Sequence, residues 1–215
     1  MRLGFISNKL NRKSGISEEY TRKCRIPSDI NEHLPTLHKY AGECNHITEC
    51  GVRSVISSYA FAHALRNKTN NKLIQIDINS HENITNFQHL CFTEGVNTVF
   101  YEQSDLDCPI EPTELLFIDT WHVYGQLKRE LERWNKSVSK YIILHDTTVD
   151  EWQGESVRLN NNIIHDSKVS GFSVEDITKG LWPAVEEFLR NTNEWILYER
   201  FTNNNGLTIL KRIIR

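Results

Sequence analysis

The sequence predicts an α/β protein built on a doubly wound, mostly parallel seven-stranded sheet that ends in a C-terminal antiparallel β-hairpin. Three observations predict it. Two short unbroken apolar runs, Leu115-Leu116-Phe117-Ile118 and Tyr141-Ile142-Ile143-Leu144, each run out at an aspartate, Asp119 and Asp146. Between them Leu127, Leu131 and Trp134 recur at i, i+4 and i+7 while Lys128, Arg129, Glu130, Glu132 and Arg133 take the other faces, the stripe of an amphipathic helix. Two final apolar runs are separated by only Thr202-Asn203-Asn204-Asn205, a connection too short for anything but antiparallel pairing. Unbroken apolar strands suit a sheet covered by helices on both faces, whose ligands collect beyond the strands' carboxyl ends. Asp119, Asp146 and His122 belong to that rim.

The elements follow in order. Residues 1–26 are polar and basic without a clear period and read as a loosely held N-terminal arm. Pro35 is placed to open a helix running to about Ala41. His46 to Val52 reads as the first strand, closing in Glu49-Cys50-Gly51, and a helix is expected from about Ser54 to Leu65 on the spacing of Val55, Tyr59, Ala62 and Leu65. Lys72–Asp77 is a second strand ending in a carboxylate, a helix follows from His81 or Glu82, and Val96 to about Tyr101 is the third strand. Strands alternating with helices imply right-handed crossovers and an open parallel sheet. Residues 149–176 break the rhythm, being polar with Asn160-Asn161-Asn162, and read as a substrate loop or lid. A helix from about Leu181 to Arg190 precedes the closing strands, Glu194–Phe201 and Gly206–Ile213.

Composition bounds the function. With 215 residues and 39% hydrophobic content the chain can bury one good core. A formal charge of −3 and the absence of a long basic run give a nucleic-acid groove no electrostatic support. No apolar run approaches the roughly 20 residues of a membrane span, and the first ten residues lack a signal-peptide pattern. A soluble, cytoplasmic protein is expected. Cys24, Cys44, Cys50, Cys91 and Cys108 are odd in number and without a CxxC pair, the usage of reduced thiols.

A carboxylate at the end of the second strand of such a sheet pairs with the vicinal hydroxyls of a nucleoside ribose, and Asp77 stands there. Gly51 lets the backbone of the first loop approach a ligand closely. That loop, Gly51-Val52-Arg53-Ser54-Val55-Ile56-Ser57, holds a single glycine, which argues against a dinucleotide and for a nucleoside ligand lacking phosphates.

The order Glu49-x-Gly51, Asp77, Ser104-Asp105, Asp119 and a terminal hairpin resembles the class I S-adenosylmethionine-dependent methyltransferases, a Rossmann-like fold. Ile118-Asp119-Thr120-Trp121-His122-Val123-Tyr124, Leu144-His145-Asp146-Thr147 and Gly51-Val52-Arg53 are similar to segments of the group that contains cephalosporin-hydroxylase-like proteins and metal-dependent macrolide-sugar O-methyltransferases. The resemblance spans residues 27–215. It implies that Glu49, Gly51 and Arg53 line the amino-acid end of the methyl donor, that Asp77 holds its ribose, and that Ser104 or Asp105 lies near adenine. Asp119 and the pair His145-Asp146 take the positions that bind magnesium or another divalent cation in relatives. His145 replaces an acidic residue there, leaving His145 or Thr147 as third ligand. Val55 stands where glycine is common.

The implied reaction is methyl transfer from S-adenosylmethionine to a hydroxyl of a sugar or glycan, with His122 as base and Trp121 and Tyr124 as candidate platforms for the sugar. A cation can lower the pKa of a bound hydroxyl, and positioning supplies much of the rest. The expected partner is a sugar or glycoside, with no nucleic acid and no membrane, and the N-terminal arm is a candidate surface for a homo-oligomer. The rivals are a donor-binding module without catalysis and an NAD-dependent oxidoreductase. A hydroxylase is a further rival, but the sequence order supplies no two-histidine, one-carboxylate iron pattern.

Overall fold

The computed structural model describes residues 15–213. Strands β1 (His46–Cys50), β2 (Lys72–Asp77), β3 (Thr98–Glu102), β4 (Thr113–Ile118), β5 (Val138–His145), β6 (Trp195–Phe201) and β7 (Leu207–Arg212) form one sheet in the order β3-β2-β1-β4-β5-β7-β6. The first five pair in parallel, and β7 runs antiparallel to both β5 and β6. This is the predicted doubly wound sheet with its terminal hairpin.

The apolar runs divide between two cores as strand alternation requires. Leu115, Phe117, Tyr141 and Ile143 face α1 (Ile16–Arg25), α2 (Leu34–Ala41), α3 (Ser57–Leu65) and α4 (Glu82–Thr93). Leu116, Ile118, Ile142 and Leu144 face α5 (Tyr124–Trp134) and α9 (Trp182–Asn191), where Leu127, Leu131 and Trp134 are the expected stripe. The switch between central strands β1 and β4 sits where the winding reverses, so the loops leaving them diverge and leave a crevice above the sheet.

Three expectations change. The arm predicted over residues 1–26 is helical from Ile16 to Arg25: Ile16 is fully buried, and Glu94 accepts its backbone N–H at 2.8 Å. Tyr20 stacks on His63 (ring centroids 4.6 Å) and His38 (5.2 Å), fixing α1 on α2 and α3. The first fourteen residues of that arm lie outside the described residues. The helix expected from about Ser54, α3, begins at Ser57, because the backbone turns left-handed at Arg53 (φ 36°) and Val55 (φ 57°). The expected loop over 149–176 is instead a run of three short helices, α6 (Glu155–Arg158), α7 (Ile163–Ser170) and α8 (Val174–Thr178). The Asn162 and Ser173 side chains cap the last two, and Gly171 (φ 73°) ends α7. Phe172 and Ile177 join Val123 in a small core of their own.

Candidate functional site

The site is assembled where the strands end. Gly51 follows β1 at φ 85°, and a Cβ there would stand 1.9 Å from the carbonyl oxygen of Asp119, so only glycine lets the β1 and β4 ends meet. The Asp119 N–H donates to Cys50 O at 2.9 Å across this contact. Asp77 then shapes the next turn. Its Oδ2 accepts from the N–H groups of Val52 (2.8 Å) and Arg53 (3.0 Å), and its Oδ1 from Asn79 (3.0 Å).

Beyond these ends opens a cleft of about 440 Å³. Of the predicted donor-binding residues, Gly51, Arg53, Asp77, Ser104 and Asp105 line it, and so does Asp119. Glu49 does not. It is fully buried and accepts from Ser57 Oγ (2.5 Å), Ser58 Oγ (2.6 Å) and Gln75 Nε2 (3.0 Å), and burial pushes its carboxyl up to about 7 against those bonds. Its place is in the joint between sheet and α3 rather than at the cleft. Sequence reasoning missed Ile78, Gln103, Thr120 and Gln126, which also line the cleft. Ile78 is 68% exposed beside Asp77, an apolar side chain set on a rim rather than in a core. Asp105 is buried beside Glu130, with Oδ1 accepting from Gln126 at 3.1 Å, and burial raises its pKa.

Next to Asp119 lies a compact charged cluster. His122 Nε2 is 3.3 Å from Asp119 Oδ1 and 3.0 Å from Asp146 Oδ2, and its Nδ1 is 3.2 Å from Asp150 Oδ2 and 3.7 Å from Glu155. His145 Nδ1 is 3.2 Å from Asp119 Oδ1 and 3.3 Å from Asp146 Oδ2, while Nε2 faces the carbonyl oxygens of Asp29 (3.1 Å) and Asn204 (3.4 Å). Burial works against charge on both imidazoles, but the carboxylates outweigh it. His145 is raised to about 10 and His122 well above its ordinary value. Asp119 resists burial the same way, held well below the usual carboxylate range by His145 and His122.

Asp119, His145 and Asp146 each offer a donor atom within 4.8 Å of the others, and the buried Asp146 Oδ1 has no hydrogen-bond partner among the described residues. These residues fit a divalent cation. Thr147, the other candidate third ligand, accepts instead from Thr208 Oγ1 at 2.9 Å and faces β7. Trp121 lines the cleft and stacks on Phe172, donating to Ser156, whereas Tyr124 donates to Glu187 on α9. Two histidines and two carboxylates therefore meet although sequence order showed no such pattern: residues 26 positions apart in the chain become neighbours because β4 and β5 pair in register, Ile118 beside Leu144. Asp150, fully buried and held by Arg158 through bonds of 2.6 and 2.9 Å, was also missed. Its spacing of four from Asp146 was the only signal.

No family model and no curated protein matches this sequence. Solved structures do match in fold. A Corynebacterium glutamicum protein superposes with a TM-score of 0.64 at 13% identity, over 96% of this chain and 93% of its own. The O-methyltransferase TomG of Streptomyces achromogenes, solved with SAM, gives 0.57 at 14% identity over 96% and 92%. The SAH-bound methyltransferase PaMTH1 of Podospora anserina gives 0.52 at 13% over 99% and 100%. The chain has the class I methyltransferase fold.

Proposed function

We propose that this protein transfers a methyl group from S-adenosylmethionine to a hydroxyl of a sugar or glycan, with a divalent cation at the Asp119, His145 and Asp146 cluster. One observation carries the reading: the cleft lined by Asp77, Ile78, Ser104 and Asp105 is also lined by Asp119, which belongs to the charged cluster. A nucleoside ligand lying along it with its ribose at Asp77 would bring its reactive end to that cluster. The methyl donor SAM and its demethylated product SAH, named for bound structures of the same fold, support the choice of nucleoside.

The residues divide the work. Asp77, already bonded to the Val52 and Arg53 amides, is held rigid for a ribose, and Ser104 and Asp105 line the same cleft. Arg53, paired with Asp29, carries the positive charge an amino-acid carboxylate needs. A bound cation would supply Lewis acidity that lowers the pKa of an acceptor hydroxyl. His122 stands beside the same carboxylates; in their field its imidazole holds its proton, so service as base requires that they first be neutralised.

Calorimetric titration with S-adenosylmethionine and S-adenosylhomocysteine, with NAD as control, tests the reading. Binding of both the methyl donor and its demethylated product, and not NAD, is expected, followed by methylation in a screen of sugar acceptors that fails in chelator and in Asp119→Ala. Binding of NAD, or of neither ligand, would sink it.

A further inference from the structure

Two carboxyls with no countercharge are buried together under one wall of the cleft. We propose that Glu130 is a positioning residue for methyl-donor binding: as a neutral carboxylic acid it donates a hydrogen bond to Asp105 and so holds the wall over residues 104–108 against α5. The inference rests on the donor half of the proposed function and is independent of the acceptor and of the cation.

The hydrogen bonds require the proton. Glu130 is fully buried on α5, and Asp105, in the loop after β3, is 6% exposed. A single amide serves both, Gln126 Nε2 lying 2.7 Å from Glu130 Oε1 and 3.1 Å from Asp105 Oδ1. Thr120 Oγ1 donates to Glu130 Oε1 at 2.5 Å. The oxygens left over, Glu130 Oε2 and Asp105 Oδ2, are buried and find no donor elsewhere among the described residues, while the two carboxyls bond one another. Carboxylate oxygens only accept, so a bond between two of them needs a proton. Without it, two like charges would touch out of water.

The surroundings decide which carboxyl keeps that proton. Burial, and then the charge of Asp105, hold the Glu130 carboxyl well above the usual range. Burial raises Asp105 as well, but its bonds from Glu130 and Gln126 and the nearby Arg133 oppose the rise. Among the described residues neither carboxyl forms an ion pair. Arg133 on α5 donates instead to the carbonyl oxygens of Asp105 (3.2 Å) and Cys108 (2.5 Å). Cys108 in the same loop and Cys50 on β1 are thiols that burial pushes up. His122 and His145 line a small cavity together with Glu130, and both imidazoles face Asp119 and Asp146.

The pair reaches the cleft through the bonds it makes. Asp105, Gln126 and Thr120 all line the cleft, and Glu130 acts from behind them. The Asp105 carbonyl also accepts from Trp134 Nε1 at 3.2 Å, so the loop that carries Ser104 is fastened to α5 largely at Asp105. If the proton is lost, the two carboxylates repel and the wall shifts with Asp105.

The test uses the full chain, with denaturant unfolding from pH 6 to pH 8, infrared spectra of the ligand-free protein, and calorimetric titration with S-adenosylhomocysteine. Glutamine matches a neutral acid, offering one acceptor oxygen and one donor, and does not titrate. The folded parent keeps a proton that the unfolded chain has released, so its stability falls as pH rises. Its unfolding constant should therefore rise by about tenfold per pH unit relative to that of Glu130→Gln. A protonated-carboxyl band should be lost in the same variant. At pH 7 Glu130→Gln should hold S-adenosylhomocysteine as the parent does, while Glu130→Ala should weaken it by about tenfold or more. Denaturant unfolding of Glu130→Ala checks that it folds. A pH-independent ratio of unfolding constants, or no band lost, would overturn the neutral acid. Equal weakening in Glu130→Gln and Glu130→Ala, or unchanged affinity in both, would overturn the positioning role. If the parent shows the slope and the band but binds no S-adenosylhomocysteine, the donor reading falls and the positioning role with it, while the acid pair stands.

Discussion

Gly51 shows how much one residue can decide. The approach of a Cβ to within 1.9 Å of the Asp119 carbonyl means that alanine must push the β1 and β4 ends apart and also sit at φ 85°. Gly51→Ala should therefore cost at least about 2 kcal/mol, from overpacking and the left-handed penalty together. It should also weaken S-adenosylmethionine by about tenfold or more, since a shift of this kind misplaces the cleft wall. Chemical denaturation and calorimetry read the two effects, and a variant as stable as the parent would show that the contact yields. Val55 is the converse case. A β-branched residue buried at φ 57° carries about 1–3 kcal/mol of backbone strain, close to what burying its side chain returns. Val55→Gly should therefore change unfolding free energy by less than about 1 kcal/mol, where an unstrained buried valine would lose about 2 or more; denaturant titration separates the cases. Gly51 was legible because Glu49-x-Gly51 lies in a local motif. The partners of Glu49 were not, since Ser57, Ser58 and Gln75 reach it only after α3 packs on the sheet. The same holds for the meeting of His122 with His145.

Among the elements, the strands and the terminal hairpin were legible from apolar runs, because a strand buried on both faces writes its burial directly into sequence. Helix α1 was not. Its first turn buries a single apolar residue, Ile16, and its hold on the body comes from rings that no periodicity announces, Tyr20 against His38 and His63. Ser17 Oγ also lies 3.2 Å from His63 Nε2. Burial lowers the pKa of both histidines, with Lys68 and Arg66 adding to His38, and His38 and Arg66 adding to His63 while Glu94 opposes. The unfolded chain therefore takes up protons near 6.5 that the folded chain resists. Stability from this packing is intact above that pH and declines as pH falls below it. The protection of amides within α1, corrected for the intrinsic pH dependence of exchange, should fall between pH 7 and pH 5 more than that of amides in β4, and the double variant His38→Gln, His63→Gln should flatten the difference. Exchange that tracks the core equally at both pH values would show that the rings do not hold the helix. The three short helices over residues 155–178 were hidden for another reason. Each is too short for a stripe, and they are pinned by caps and by Phe172 against Trp121.

Across the whole molecule, two segments far apart in sequence close over the site. Asn204, in the turn between β6 and β7, accepts from the Glu32 N–H at 2.9 Å and donates to Ser28 O at 2.7 Å, while Asn203 Nδ2 donates to Glu32 at 2.6 Å. The two segments so joined present Asp29 O and Asn204 O to His145 Nε2. The asparagine-rich turn was legible as a hairpin, but nothing in its composition says that it clasps residues 28–32. Asn204 also sits at φ 45°, a conformation that asparagine and glycine tolerate and alanine does not. Asn204→Gly keeps that backbone and removes two hydrogen bonds, so it should cost about 1–3 kcal/mol. Asn204→Ala should cost about 1–2 kcal/mol more, the left-handed penalty. Because the clasp aims carbonyl oxygens at His145, both variants should also weaken cation binding, and the glycine variant should do so without added strain. Thermal unfolding beside ion titration checks both halves. If Asn204→Gly leaves both stability and ion affinity unchanged, the hairpin turn is a connection only, and the orientation of His145 must come from β5 alone.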